Sequence, residues 1–152
     1  MNFQDKINSK SKTKHYLCHK KSDTMASQEE VALFLKQFHQ KLAIYNIVFR
    51  DDRGKNLSTL ALLDIPAAAR IKVIKEITTE DYSEGPISDT LNQINEMWVF
   101  GKEIRKHEIY IKISLGYPNC STICISFHVA EHPMNYPYKQ ETKTKDRKGG
   151  KI

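Results

Sequence analysis

The sequence predicts an α+β fold: N-terminal helices packed on a small antiparallel β-sheet. Three observations carry this. Apolar residues recur at helical spacing between residues 28 and 77. From residue 97 onward come three strand-like runs separated by short turns, and in the second and third apolar and polar residues alternate at period 2. The two halves meet at DYSEGP, 81–86, which ends in two breakers. Helices followed by a three-strand antiparallel meander make an α+β architecture.

The elements follow in order. Ser27 can cap a helix, and Glu30 three residues later completes a capping box. Val31, Phe34, Leu35, Phe38 and Leu42 then mark an amphipathic helix over 28–43. IYNIVF, 44–49, is aromatic and β-branched and reads as a short strand. RDDRGKN, 50–56, is a charged turn, and a helix is expected over 57–63, ending near Asp64. Pro66 suits the first turn of the next helix, AAARIKVIKEI, expected to bury Ile71, Ile74 and Ile77. Residues 81–86 read as a loop and 87–96 as a short helix or loop. Strands are expected at 97–104, 108–115 and 122–130. Pro133 and Pro137 make the closing HPMNYPYK irregular.

The chain has 152 residues, 39% hydrophobic and 28% charged, which suits a single globular domain. No run approaches the ~18 apolar residues of a membrane helix. The N-terminus lacks the apolar stretch of a secretory signal. Three cysteines argue against a disulfide framework. A cytoplasmic protein is expected, with no membrane partner. The net charge of +6 is unevenly placed. Residues 1–24 carry six lysines against Asp5 and Asp23, and residues 139–152 carry six Lys/Arg against Glu141 and Asp146. The remainder, 25–138, has 12 basic and 14 acidic residues. Two disordered basic ends, 1–24 and 139–152, are therefore expected around a domain at 25–138. Met25-Ala26-Ser27 reads as a natural start.

The strand alternation gives the sheet two faces. Ile109, Ile111, Ile113 and Leu115 point one way, and Tyr110, Lys112 and Ser114 the other. In the last strand Ile123, Ile125, Phe127 and Val129 oppose Cys124, Ser126 and His128. One core forces the isoleucine faces together, so the polar faces also coincide. His128 then lies opposite Tyr110 or Glu108, and Lys112 opposite Cys124 or Ser126. A solvated sheet face and an active site both fit this pattern. A zinc quartet is the rival suggested by Cys120, Cys124, His128 and His132, spaced by four. In a strand successive members sit about 13 Å apart, at ~3.3 Å per residue, whereas zinc needs all ligands at ~2 Å. No metal and no cofactor are expected.

These residues carry a resemblance. Asp81-Tyr82 after a helix, Trp98 opening a strand, Glu108-Ile109-Tyr110-Ile111-Lys112-Ile113 and Ile125-Ser126-Phe127-His128 stand in that order. The ordered set resembles the motility quorum-sensing regulator toxins, small mRNA interferases of toxin–antitoxin systems with a RelE-like, microbial-ribonuclease-like fold. Their corresponding strands read V-Y-L-K-I and V-S-F-K. The resemblance covers most of 25–130, in pattern more than in identity. It implies a type II toxin that cleaves mRNA without metal, with an antitoxin as partner and the ribosome as a further candidate. The family's strand tyrosine, thought to be catalytic, falls on Tyr110, and a strand lysine on Lys112. Three positions depart: the last-strand lysine is His128, the loop lysine is Glu84, and the glutamine after the tryptophan is Val99. RelE-like toxins often use a glutamate, basic residues and a last-strand histidine, a set that Glu84, Lys112 and His128 would supply.

The chemistry suits these residue types. RNA cleavage by its own 2′-hydroxyl needs a base, a cation for the phosphorane and an acid for the leaving 5′-oxygen. Histidine serves as acid or base near neutrality. Lysine holds growing phosphate charge, and tyrosine orients phosphate or stacks on a base. The expected catalytic residues are His128, Tyr110, Lys112 and Glu84. Lys102, Ser126, Arg50 and Arg53 are candidate RNA contacts, although the two aspartates of RDDRGKN favour a self-paired turn over a phosphate grip. Trp98 is assigned to packing, His107 to the first hairpin turn and His132 to the surface. The alternative function is a binding module that docks RNA or a protein on the same face without cleavage. A structural protein whose exposed strands pair with a partner is a third possibility.

Overall fold

The computed structural model describes residues 25–88 and 95–142. The expected basic ends lie outside the described residues, apart from 139–142, as does most of the uncertain stretch 87–96. The architecture is α+β: the described residues form three α-helices and a mixed five-stranded sheet.

Helix α1, Gln28–Tyr45, begins at the expected capping box, with both Ser27–Glu30 hydrogen bonds formed. It buries Val31, Phe34, Leu35, Phe38 and Leu42, the five residues that the spacing selects. It runs two residues past its expected end and absorbs Ile44 and Tyr45. Asn46, at a φ of 66°, stops it, and its side chain accepts the Ile47 N–H. The strand expected over 44–49 is thereby reduced to β1, Ile47–Phe49. Helix α2, Lys55–Leu63, starts two residues before its expected beginning and takes in the last two residues of the charged turn. Helix α3, Ala69–Lys75, starts after a turn closed by the Pro66 carbonyl. Ile74 and Ile77 are buried, but Ile71 is only half-buried.

The segment 81–86 is not the expected loop. After a 3-10 turn at Thr79–Asp81, the chain forms β2, Tyr82–Ile87. Tyr82 anchors it: the fully buried phenol accepts the Ala26 N–H and donates to the Gly85 carbonyl. Strands β3, Met97–Ile104, β4, His107–Ser114, and β5, Thr122–Val129, form the expected antiparallel meander. The meander is enlarged at both sides. β2 pairs antiparallel with β3, and β1 pairs parallel with β5, giving the order β1-β5-β4-β3-β2. Trp98 and Phe100 join the helix-side core, and Trp98 stacks on Phe34 with centroids 4.6 Å apart.

Strand β5 departs from strict alternation. Lys112 pairs with Ser126, but Ile113 pairs with Cys124, so Ile125 is the extra residue of a β-bulge. The bulge inverts the expected faces before it. Cys124 enters the core beside Phe127, while Ile123 falls in register with Ser114 and Val48 on the other side. Burial pushes the Cys124 thiol up to about 12. Among the described residues no helix is long and apolar enough to cross a membrane.

Candidate active site

The non-helical face of the sheet forms the floor of a cleft of about 690 Å³. Tyr110 and Lys112 of β4, and Ile125, Ser126 and His128 of β5, line it. One wall is the turn after β1 together with the start of α2, contributing Arg50, Arg53, Lys55 and Asn56. The opposite end carries Ser83 and Glu84 of β2. The segment after β5, from Glu131 to Asn135, completes the rim.

Two transverse rows organise the floor. The first runs Glu84–Val99–Lys112–Ser126 across four strands. The second runs Gly101–Tyr110–His128 across three. Adjacent strands lie about 4.8 Å apart, so Glu84 and Lys112 are roughly 10 Å apart at the backbone, a gap their long side chains narrow. Lys112 therefore stands between a carboxylate on one side and an imidazole on the other.

The Tyr110 and His128 rings are stacked, with centroids 5.2 Å apart and planes 15° from parallel. The Nδ1 atom of His128 lies 3.0 Å from the Val129 carbonyl oxygen. A carbonyl only accepts, so Nδ1 carries the proton and Nε2 is the atom left to exchange one. Burial, and then the Glu84 carboxylate, push the Tyr110 phenol up to about 12. Tyr110 is thus a neutral donor at physiological pH and does not act as a phenolate base. Its ring also lies 5.6 Å from the Lys112 ammonium. Among the described residues, Lys112 and Arg53 have no ion-pair partner.

The turn that supplies Arg50 and Arg53 is braced from below. Asp51 makes a bidentate pair with the buried Arg70, at 2.8 and 3.0 Å. That pair, more than the burial that opposes it, holds the Asp51 carboxyl below its ordinary range. The Arg70 guanidinium lies 3.8 Å above the Phe49 ring. Arg50 makes a looser contact with Asp52, 3.9 Å and solvent-exposed. The expected self-pairing of RDDRGKN is therefore partial: Asp51 turns inward, and Arg53 is left free to face the cleft.

The rim segment is fastened by Glu108, whose carboxylate accepts the Met134 N–H at 3.0 Å and the Tyr136 hydroxyl at 2.9 Å. The Tyr136 ring lies over Gly101, where any side chain would collide with it. Lys55 of α2 pairs with Glu131 of the rim. That contact, and to a lesser degree His128 and His132, lower the Glu131 carboxyl.

Seven of the eight expected site residues, Glu84, Tyr110, Lys112, Ser126, His128, Arg50 and Arg53, line this cleft. Lys102 does not. Its ammonium pairs with Asp81 at 2.8 Å, away from the lining residues. His132, assigned to the surface, is exposed yet belongs to the rim. Cys120 lies in the exposed turn before β5 and Cys124 in the core, so the four-residue spacing does not bring the Cys/His quartet together. Sequence reading missed Asn56, Glu108 and Glu131. Their side-chain hydrogen bonds span 26 or more residues, except those within the charged turn, so no local pattern announces them. No family model, no curated protein and no solved structure matches the chain.

Proposed function

We propose that the cleft binds RNA and cleaves it by attack of the ribose 2′-hydroxyl, with the protein's own side chains as acid, base and cation. The observation that carries the reading is the sheet geometry: Lys112, without a carboxylate partner among the described residues, stands between exposed Glu84 and the stacked Tyr110–His128 pair. In this reading Lys112 and the Tyr110 hydroxyl hold the non-bridging phosphate oxygens. Glu84 takes the proton of the 2′-hydroxyl, and His128 returns one to the departing 5′-oxygen through Nε2. The products are a 2′,3′-cyclic phosphate and a free 5′-hydroxyl. Arg50 and Arg53 grip the neighbouring phosphates. The sequence resemblance supports mRNA as substrate, a toxin role within a type II toxin–antitoxin system, and a cognate antitoxin as partner.

The test is a cleavage assay on single-stranded RNA in the presence of EDTA, with product ends identified by mass. Cleavage to cyclic-phosphate ends is expected, with His128→Ala lowering the rate by about 10²–10⁴-fold. Tight RNA binding without cleavage would reduce the cleft to a docking surface. Full activity from folded His128→Ala would remove His128 from the mechanism.

A further inference from the structure

The outer edge of β5 is only partly covered by another strand. β1 pairs with Thr122–Cys124 and stops there, and the Arg50 N–H continues the pairing only as far as the Cys124 carbonyl. Past that point the N–H groups of Phe127 and Val129, which flank His128, would face outward without partners. Two side chains of α2 take them. Asn56 Oδ1 accepts from Phe127 at 2.9 Å, and Thr59 Oγ1 accepts from Val129 at 3.1 Å. Both residues are 5% exposed, so water does not replace either bond readily.

Asn56 is also tied to the other side of the cleft. Its Nδ2 donates to the Arg50 carbonyl at 3.0 Å and to Asp51 Oδ1 at 3.2 Å. A backbone N–H only donates and a backbone carbonyl only accepts, so the amide has one orientation that satisfies both neighbours. The same side chain therefore fixes the strand that bears His128 and the turn that bears Arg50 and Arg53.

We propose that Asn56 and Thr59 are positioning residues, through which α2 sets the distance between the phosphate grip and the proton-transferring His128. Thr59 acts on the strand alone, and Asn56 acts on the strand and the turn together. The assignment of roles rests on the ribonuclease reading; the hydrogen-bond placement does not.

Two substitutions separate the parts. Thr59→Val keeps the shape and removes the acceptor for the Val129 N–H. Asn56→Asp can still accept from Phe127, but it cannot donate to the Arg50 carbonyl and it faces the Asp51 carboxylate. Steady-state cleavage should show kcat lowered about tenfold in Thr59→Val with KM nearly unchanged, because a small displacement of the acid is costly. Thr59→Ser, which restores the acceptor, should recover the rate. Asn56→Asp should instead raise KM, and weaken binding of a 2′-O-methyl RNA that cannot be cleaved, by about tenfold or more. In parallel, nitrogen-15 NMR of the histidine rings should show the His128 signals shifted or broadened in Thr59→Val and restored in Thr59→Ser.

Wild-type-like kinetics in both variants, or a Thr59→Val defect that Thr59→Ser fails to repair, would overturn the proposal. If the wild-type protein cleaves no RNA, the ribonuclease reading fails, and the NMR comparison then decides the placement alone. Unchanged His128 signals in Thr59→Val would overturn it in that case too.

Discussion

His128 stacks on Tyr110 across β5 and β4, 5.2 Å between ring centroids. The contact sets the His128 imidazole against a phenol that burial raises to about 12.

Tyr110 is protonated throughout the physiological range, so Tyr110→Phe should lower the cleavage rate without changing the shape of its profile between pH 5 and 9. Its phenol is raised from near 10 to about 12 in the folded state. The folded protein therefore holds a proton that the unfolded chain releases, and stability falls as pH rises from 10 to 12. Chemical denaturation over that range should show a smaller fall in Tyr110→Phe than in wild type. A steeper fall in the variant would contradict the burial of this hydroxyl.

Arg53 faces the cleft without a carboxylate partner among the described residues, whereas Lys102 is held by Asp81. For an uncleavable RNA, the slope of log affinity against log salt should drop by about one in Arg53→Ala. Lys102→Ala should leave that slope unchanged. Fluorescence anisotropy at four or five salt concentrations measures both. Equal slopes for wild type and Arg53→Ala would place the phosphate grip elsewhere.

The Asp51–Arg70 pair supports the turn from inside, with the Arg70 side chain 3% exposed. Asp51→Asn would leave a buried guanidinium short of its counter-charge, at a cost of about 2–3 kcal/mol, below that of a fully buried pair because Asp51 retains some solvent. The Asp51 carboxyl is depressed on folding. Its contribution is therefore present above the ordinary carboxylate range and lost as pH falls below about 4. Urea melts at pH 7 and pH 3 should differ less for Asp51→Asn than for wild type.

Gly101 and Tyr136 occupy one site from two segments. A Cβ on Gly101 would overlap the Tyr136 hydroxyl and lie 2.7 Å from its ring. Gly101→Ala should destabilise the protein by about 1–3 kcal/mol and loosen the rim that Glu108 fastens. Tyr136→Ala should be destabilising alone, yet the double variant should be more stable than the sum of the two predicts. Strict additivity in thermal melts would show that the two groups do not compete.

The sequence by itself determined what is local. The Ser27–Glu30 cap, the buried stripe of α1 and the alternation of β4 depend on residues within a few positions of each other, and so were readable. That alternation also placed Tyr110 and Lys112 together on the face opposite the isoleucines. The tertiary structure alone decided the rest, because backbone groups find partners far along the chain. It made a strand of DYSEGP by pairing it with β3, which brought Glu84 into line with Lys112. It inserted a bulge at Ile125, which sent Cys124 into the core while leaving Ser126 and His128 in register with Lys112 and Tyr110. It also ended β1 early and replaced the missing strand with Asn56 and Thr59. Alternation fixes which side chains can share a face. Register, bulges and edge capping decide which of them meet, and those depend on satisfying buried N–H and C=O groups across the whole fold.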